Sequence, residues 1–527
     1  MFYTPADVAA YMVDETLRDL QKGTYPVTVF DPACGTGVFL RAALNTLRAL
    51  APQVRPLDMV CSCLYGADID PWAVDATAFV LLCACFADVG ERGIAPVAAW
   101  HAMRLNFANV DSLRLDPGRA FPDDRERIAR LECRARLKAG YIPKPSGPVL
   151  SAGRITFSQL FPELPEGPYV VVGNPPYANL GSNANFMELS CHFATVAASP
   201  RASADVYPLF VEQMIRLTAP DAHGGALVLP LSIACNTGPQ YASLRALLAR
   251  TAGTWRYAFF DREPHALFGE DVKTRNAIIL WTRQAGEGKT KIFTGPLRKW
   301  RGHGRAAMFK SINFTAIETD ISQGIPKVEG EDQARALTRL LMGNRLLKDV
   351  VPIFGRATLE ETTLSNGRTV YIGATAYNFL NVFLKPNIAG LDHYPLSENP
   401  SHALIFASSQ DALAVFAALS GRLAFWWWHI HGDGFHVIRR TIETLPLGDV
   451  LLSTRYLSSL ADLGKTLWKA VRSQPIVSVN RGRMSLGFSA LPHHDIRIGI
   501  DQLLIEALNL EPVFVTTLER FTERITT

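Results

Sequence analysis

A short β-rich run, Val27-Thr28-Val29-Phe30, stops at Asp31-Pro32, passes through Gly35-Thr36-Gly37 and gives way to apolar residues at helical spacing from Val38 to Leu50. The hydrophobic period changes from that of a strand to that of a helix across one glycine turn. The order then repeats. After a loop over Ala51 to Leu57, a second strand is predicted over Met59 to Ala67, ending at Asp68-Ile69-Asp70-Pro71 and leading into an apolar helix from Ala73 to Phe86. A third strand precedes Asn109-Val110-Asp111-Ser112, and Tyr169-Val170-Val171-Val172 is a buried strand halted by Gly173-Asn174-Pro175-Pro176-Tyr177, because neither proline can extend a ladder or a helix. Downstream, helices are predicted over Val206 to Leu217 and Gln240 to Arg250, and strands over Ala226 to Leu231, Tyr257 to Asp261 and Ala277 to Trp281. Alternation of this kind specifies an α/β fold, doubly wound and Rossmann-like, with a mainly parallel sheet.

The chain of 527 residues exceeds what one core organises, so two to four domains are expected. With 48% hydrophobic and 19% charged residues it is neither disordered nor collagen-like. The composition shifts near Thr290: Ala285 to Lys291 is rich in Gly and Lys, and Lys289 to Lys310 contains no acid. The boundary is placed there, giving domains 1–290 and 291–527, the second a mixed α/β domain. A basic insertion at about residues 116–155 carries Arg125, Arg127, Arg130, Arg134, Arg136 and Lys138 on a helix read as a solvated face. A net charge of +4 does not by itself identify a nucleic-acid binder, since local clustering is what matters. The first residues show no secretory signal, and the longest apolar stretches, Ala76 to Ala87 and Leu423 to Trp428, fall short of a membrane span. The eight cysteines, at positions 34, 61, 63, 83, 85, 133, 191 and 235, lack zinc-finger spacing and read as reduced thiols of a cytoplasmic protein.

The chemistry concentrates at strand ends. In Asp31-Pro-Ala-Cys-Gly-Thr-Gly the glycines let backbone approach a cofactor while the acid faces a cationic amine. This loop, Asp31 to Gly37, carries no Gly-Lys-Ser/Thr to grip a triphosphate and is followed by no third glycine at dinucleotide spacing. Asp68, ending the second strand, is placed to accept both hydroxyls of a ribose, and Asp111 to receive an adenine amino group; taken alone, each reads more readily as a turn residue. Asn174-Pro175-Pro176-Tyr177 decides between these readings. The exocyclic amine of adenine is a poor nucleophile because its lone pair is delocalised into the ring. Two acceptors, the Asn174 side-chain carbonyl and the Pro175 backbone carbonyl, can each take one amino proton and aim the lone pair at an electrophile. The prolines fix that carbonyl, and the Tyr177 ring can stack on the base.

Together Tyr3-Thr4-Pro5, DPACGTGVFL at 31–40, GADIDP at 66–71, NVDSL at 109–113 and GNPPY at 173–177 resemble the gamma class of S-adenosylmethionine-dependent DNA adenine-N6 methyltransferases, including the methylase parts of type IIG restriction-modification enzymes. The resemblance implies a methyltransferase domain followed by a target-recognition domain. It also implies that Thr4 and Asp31 face the methionine end of S-adenosylmethionine, with Ala33, Gly35 and Gly37 lining it, Asp68 on the ribose and Asp111 on the adenine. Asn174, Pro175, Pro176 and Tyr177 would form the catalytic set, and Phe268 looks like the aromatic supporting a flipped-out adenine. Double-stranded DNA would be the partner, with a separate restriction endonuclease or defence-system subunits as further ones. Arg298, Lys299, Arg301, Arg305 and Lys310 form a candidate phosphate-facing run, as do Arg439 and Arg440 after the Trp- and His-rich tract at 423–438. Most of the Trp and Phe residues of that tract are read as core, and His429, His431 and His436 as no metal cluster. The nuclease-like spacing of Asp261, Asp271 and Lys273 is read as coincidence, and with nothing ahead of Thr4 to house a nuclease, adenine methylation would serve host protection. The alternatives are N4-cytosine methylation by the same electronics, and a catalytically idle DNA-binding subunit of a defence complex.

Overall fold

The computed structural model describes residues 4–18, 27–87, 93–116, 124–141, 154–164, 169–180, 184–198, 204–218, 223–269, 274–283, 286–301, 304–357, 367–376, 378–384, 401–480 and 482–526. The chain divides into two compact units, one of Met1–Phe314 with Asp320–Ile325, the other of Thr315–Thr319 with Pro326–Thr527.

The first unit is built on strands β1 (Val29–Asp31), β2 (Leu64–Asp68), β3 (Phe107–Asn109), β4 (Val170–Gly173), β5 (His223–Pro230), β6 (Gly253–Phe260), β7 (Asn276–Arg283) and β8 (Thr290–Arg298). They lie side by side in the order β8-β6-β7-β5-β4-β1-β2-β3. Every pairing is parallel except those of β7, which runs antiparallel to both β5 and β6. The order reverses between β1 and β4, which is where an open α/β sheet leaves a crevice at the carboxyl ends of its strands. Both faces are covered. Val29, Val170 and Val172 join the core formed with helices Ala6–Arg18, Val38–Leu50 and Pro71–Ala87, whereas the neighbouring Phe30 turns to the other face and meets Phe157 and Phe161 edge-on at 5.1 and 6.0 Å. This is the doubly wound, parallel-rich α/β sheet that the sequence predicts.

Three expectations differ from the structure. Met59 does not begin a strand: Pro56–Cys63 is a helix with Pro at its first turn, and the strand starts at Leu64. The run from Leu57 to Ala67 is almost wholly apolar, so it carries neither period, and Pro56 at the first turn is its one helix signal. The basic helix Asp124–Lys138 is not solvated throughout. Arg134 is buried, donating to both carboxylate oxygens of Glu163 at 2.9 and 3.0 Å, to Asn106 Oδ1 and to the Ala102 carbonyl. The sheet also continues past residue 290, because β8 pairs in parallel with β6 and the first unit runs on to Phe314.

The second unit is mixed α/β. Ile353–Ala357, Ser401–Ile405, Thr369–Gly373 and Val382–Phe383 form an antiparallel sheet in that order, and Ile476–Asn480 pairs with Arg483–Gly487 as a hairpin. Trp426, Trp427 and Trp428 are buried on helix Arg422–His431. Gly464 lets helix Thr454–Val471 lie against helix Ser409–Ser420, since a Cβ there would fall 2.2 Å from the Leu413 carbonyl. No helix among the described residues is long and apolar enough to cross a membrane.

Candidate active site

The crevice between β1 and β4 collects the residues singled out by sequence. Asp31 closes β1 and is fully buried. Its Oδ1 accepts the Ala33 N–H at 3.0 Å, while Oδ2 is buried and accepts no hydrogen bond. Burial, reinforced by the charge of Asp68, pushes the Asp31 carboxyl up to about 8. The loop that follows is folded over the end of β2. The Cys34 N–H donates to the Ala67 carbonyl at 3.0 Å, the Gly35 N–H to Asp68 Oδ2 at 2.9 Å, and the Thr77 hydroxyl to the Gly35 carbonyl at 3.0 Å. Gly37 has φ 79°, where a side chain is strained, and a Cβ there would meet Thr77 at 3.0 Å. Asp68 is buried, its second oxygen accepting the Asp70 N–H at 3.0 Å. Asp111 caps the short helix Ser112–Arg114 by accepting the Leu113 N–H, and the Ser112 hydroxyl donates to the Pro32 carbonyl at 2.6 Å, tying that turn to the loop after β1.

Across the crevice, β4 ends in Gly173. A Cβ on Gly173 would lie 2.8 Å from Asp31 Oδ1, so only glycine allows the two strands' ends this close. Asn174 is the next residue, and its Oδ1 is buried without a hydrogen-bond partner. Pro175 is buried and Pro176 exposed. Tyr177 leaves its ring 37% exposed but anchors its hydroxyl, which donates to the Val228 carbonyl at 3.0 Å and receives the Asn276 amide at 3.5 Å. Burial of that hydroxyl end holds the phenol well above its ordinary value. Tyr207 and Phe268 stand edge-on to the Tyr177 ring, each with centroids 6.4 Å away. Thr4 is buried immediately ahead of helix Ala6–Arg18, which packs against β4, β5 and β7.

Two buried acceptors therefore face no donor in one crevice, Asp31 Oδ2 and Asn174 Oδ1. A buried unsatisfied acceptor costs about 1–3 kcal/mol, a cost that a ligand bearing N–H groups would offset. Asn276 and Thr77, which hold Tyr177 and the glycine loop, carry no sequence signal of their own.

The candidate DNA contacts divide between the units. Arg298 is half-buried, with burial lowering its guanidinium pKa, whereas Lys299 and Arg301 are exposed. Arg305 is held by Asp7 and the Leu267 carbonyl rather than presented to solvent. In the second unit Arg439 is paired with Glu443 at 2.6 Å and lies over the Phe354 ring, and Arg440 is exposed. His429 and His431 lie on the tryptophan helix, where burial and nearby Lys327 push His431 down to about 3, and exposed His436 pairs with Asp433. Of the nuclease-like triplet, Asp261 pairs with Arg275 at 2.7 Å, and Asp271 and Lys273 lie outside the described residues.

Fold and geometry thus give an α/β protein whose sequence-expected site residues Asp31, Gly35 and Asn174 gather at the switch point of its sheet. Residues 62–263 match the sequence model of the Eco57I restriction-modification methylase family. No curated protein sequence matches the chain. Among solved structures, a nuclease-deletion mutant of the type ISP restriction-modification enzyme LlaGI, in complex with a DNA substrate mimic, superposes with a TM-score of 0.50 at 11% identity, over 99% of this chain and 56% of that one. DrdV in its DNA complex gives a TM-score of 0.47 at 13% identity, over 100% and 69%. A modification subunit of a putative type I restriction enzyme from Vibrio vulnificus gives 0.34 at 16%, over 57% and 48%. The chain spans about half the length of the Vibrio and LlaGI proteins. The likeness to LlaGI is one of fold.

Proposed function

We propose that this chain is a site-specific DNA methyltransferase that moves a methyl group from S-adenosylmethionine to N6 of an adenine rotated out of duplex DNA, within a restriction-modification or related defence system. The observation that carries the reading is the pair of orphaned acceptors, Asp31 Oδ2 and Asn174 Oδ1, separated by a strand contact that only Gly173 permits. The donor set fits the cofactor: a buried carboxylate for its ammonium group, a backbone loop of Ala33, Gly35 and Gly37 for close approach, and the acids Asp68 and Asp111 at the ends of the next two strands for its ribose and adenine. The match of residues 62–263 to a restriction-modification methylase family supports the same chemistry.

When bound, the cofactor supplies an electrophilic sulfonium methyl. The protein's part is orientation. Asn174 Oδ1 and the Pro175 carbonyl each accept one N–H of the target amine, localising its lone pair without a strong base. Tyr177, its hydroxyl fixed on the Val228 carbonyl, offers its part-exposed ring for stacking, and Phe268 stands edge-on to that ring. The amine lies in the pairing edge of a duplex, so the base must leave the stack at a cost of a few kcal/mol, offset by stacking and by phosphate contacts from Lys299, Arg301, Arg439 and Arg440. The second unit would supply target recognition, and an endonuclease on another polypeptide would make the methyl mark protective.

The test is incubation of the purified chain with unmodified genomic DNA and methyl-labelled S-adenosylmethionine, followed by nucleoside analysis. Label in N6-methyladenine is expected. Label in N4-methylcytosine would move the assignment to that base, and DNA binding without transfer would make the chain a non-catalytic subunit.

A further inference from the structure

Arg305 stands in a run of basic residues, yet each of its three guanidinium nitrogens is hydrogen-bonded within the first unit. Nε and Nη2 each lie 2.7 Å from one oxygen of Asp7, a two-pronged pair, and Nη1 donates to the Leu267 carbonyl at 2.8 Å. These partners flank the two halves of the crevice in sequence. Asp7 is in the first turn of helix Ala6–Arg18, three residues after Thr4, and its Oδ1 also accepts the Val8 N–H at 3.1 Å. Leu267 is fully buried and precedes Phe268, whose ring stands edge-on to Tyr177.

We propose that Arg305 is a positioning residue that locks the Phe268 ring to helix Ala6–Arg18, which starts two residues after Thr4, so that the wall of the proposed target-base pocket and the helix following the proposed cofactor-facing Thr4 are set by one side chain. The physical step is simple. The Leu267 carbonyl lies in the same peptide plane as the Phe268 nitrogen, so holding that oxygen fixes the rotation of the plane and hence the direction in which the Phe268 ring leaves the backbone. A planar guanidinium can grip a carboxylate with two N–H groups and keep a third for the carbonyl; a lysine ammonium cannot reproduce that fork. The inference rests on Phe268 serving the target base as proposed above.

The test is a double-mutant cycle on methyl transfer to genomic DNA with Arg305→Ala, Phe268→Ala and the double variant, together with Arg305→Lys. Arg305→Ala should lower kcat by about 10- to 100-fold with the dissociation constant for S-adenosylmethionine changed less than about threefold. The double variant should lose no more than Phe268→Ala alone, because Arg305 acts through that ring, and Arg305→Lys should recover only part of kcat. Additive losses, or kcat within about twofold of wild type in Arg305→Ala, would overturn the assignment. Hydrogen exchange provides an arm independent of turnover: amides of residues 262–269 should exchange at least about tenfold faster in Arg305→Ala at unchanged melting temperature. Unchanged exchange there refutes the lock. Absence of methyl transfer by the wild-type chain, with the exchange effect present, refutes the methyltransferase reading and leaves the lock standing.

Discussion

Raising the pH from about 6 to about 8 should tighten binding of S-adenosylmethionine roughly 20-fold. Asp31 is fully buried, with one oxygen unbonded, and its carboxyl is pushed up to about 8. At about pH 6 only about 1% of the unliganded protein carries the charge that pairs with the cofactor's ammonium; at about pH 8 half does. The α-amino group itself titrates near 7.8, so the competent pair rises from about 0.01 to about 0.2 of all combinations and declines again at higher pH. The profile is therefore bell-shaped, and binding at about pH 6 releases about one proton. The same shift fixes the sign for stability. A carboxyl raised in the folded state contributes stability that is complete below the ordinary carboxylate range and is lost as pH climbs through about 8. The unliganded protein should lose about 2 kcal/mol between about pH 6 and about pH 8 through this group. Titration calorimetry in buffers of different ionisation enthalpy measures affinity and proton release together, and urea unfolding measures the stability arm. Asp31→Asn should bind weakly and lose both pH dependences. An affinity flat across this range in wild type, with no proton released, would refute the placement of the cofactor ammonium at Asp31.

Two substitutions test packing around the site. Gly173→Ala places a Cβ 2.8 Å from Asp31 Oδ1 and should cost about 1–3 kcal/mol in urea unfolding and weaken cofactor binding; full stability would mean the strands separate freely. Arg134→Met leaves Glu163 without its buried partner and should cost about 3–5 kcal/mol, whereas a loss under about 1 kcal/mol would show that Glu163 simply takes up a proton or reaches water.

The parts of this protein legible in sequence are those whose signal is local. β1, β2 and β4 end at Asp31, Asp68 and Gly173, each marked by a break from apolar residues to Pro, Gly or Asp within two or three positions. The meeting of residues 31–37 and 174–177 in one crevice is what the resemblance to the gamma-class methyltransferases implies, whereas the placing of β4 beside β1 is visible only in the sheet itself. What was not legible depends on partners far along the chain. Arg305 and Asp7 are 298 residues apart, so a basic run looks like a phosphate track until the carboxylate appears beside it. Arg134 was hidden for the same reason, its partner Glu163 lying outside the helix. β8 was obscured because lysines and a glycine-rich approach mark it as a linker, although Ile292, Phe293 and Thr294 pair with β6 as a sheet requires.

The central claim is that the Asn174 side-chain oxygen, buried and unpartnered, accepts a hydrogen bond from the N–H of a reacting amine. Methyl transfer to DNA and S-adenosylmethionine binding measured side by side for wild type and Asn174→Ala test it most directly. The account predicts transfer lowered by at least about a thousandfold with cofactor affinity within about threefold of wild type. Transfer persisting at a tenth of the wild-type rate or more would contradict it.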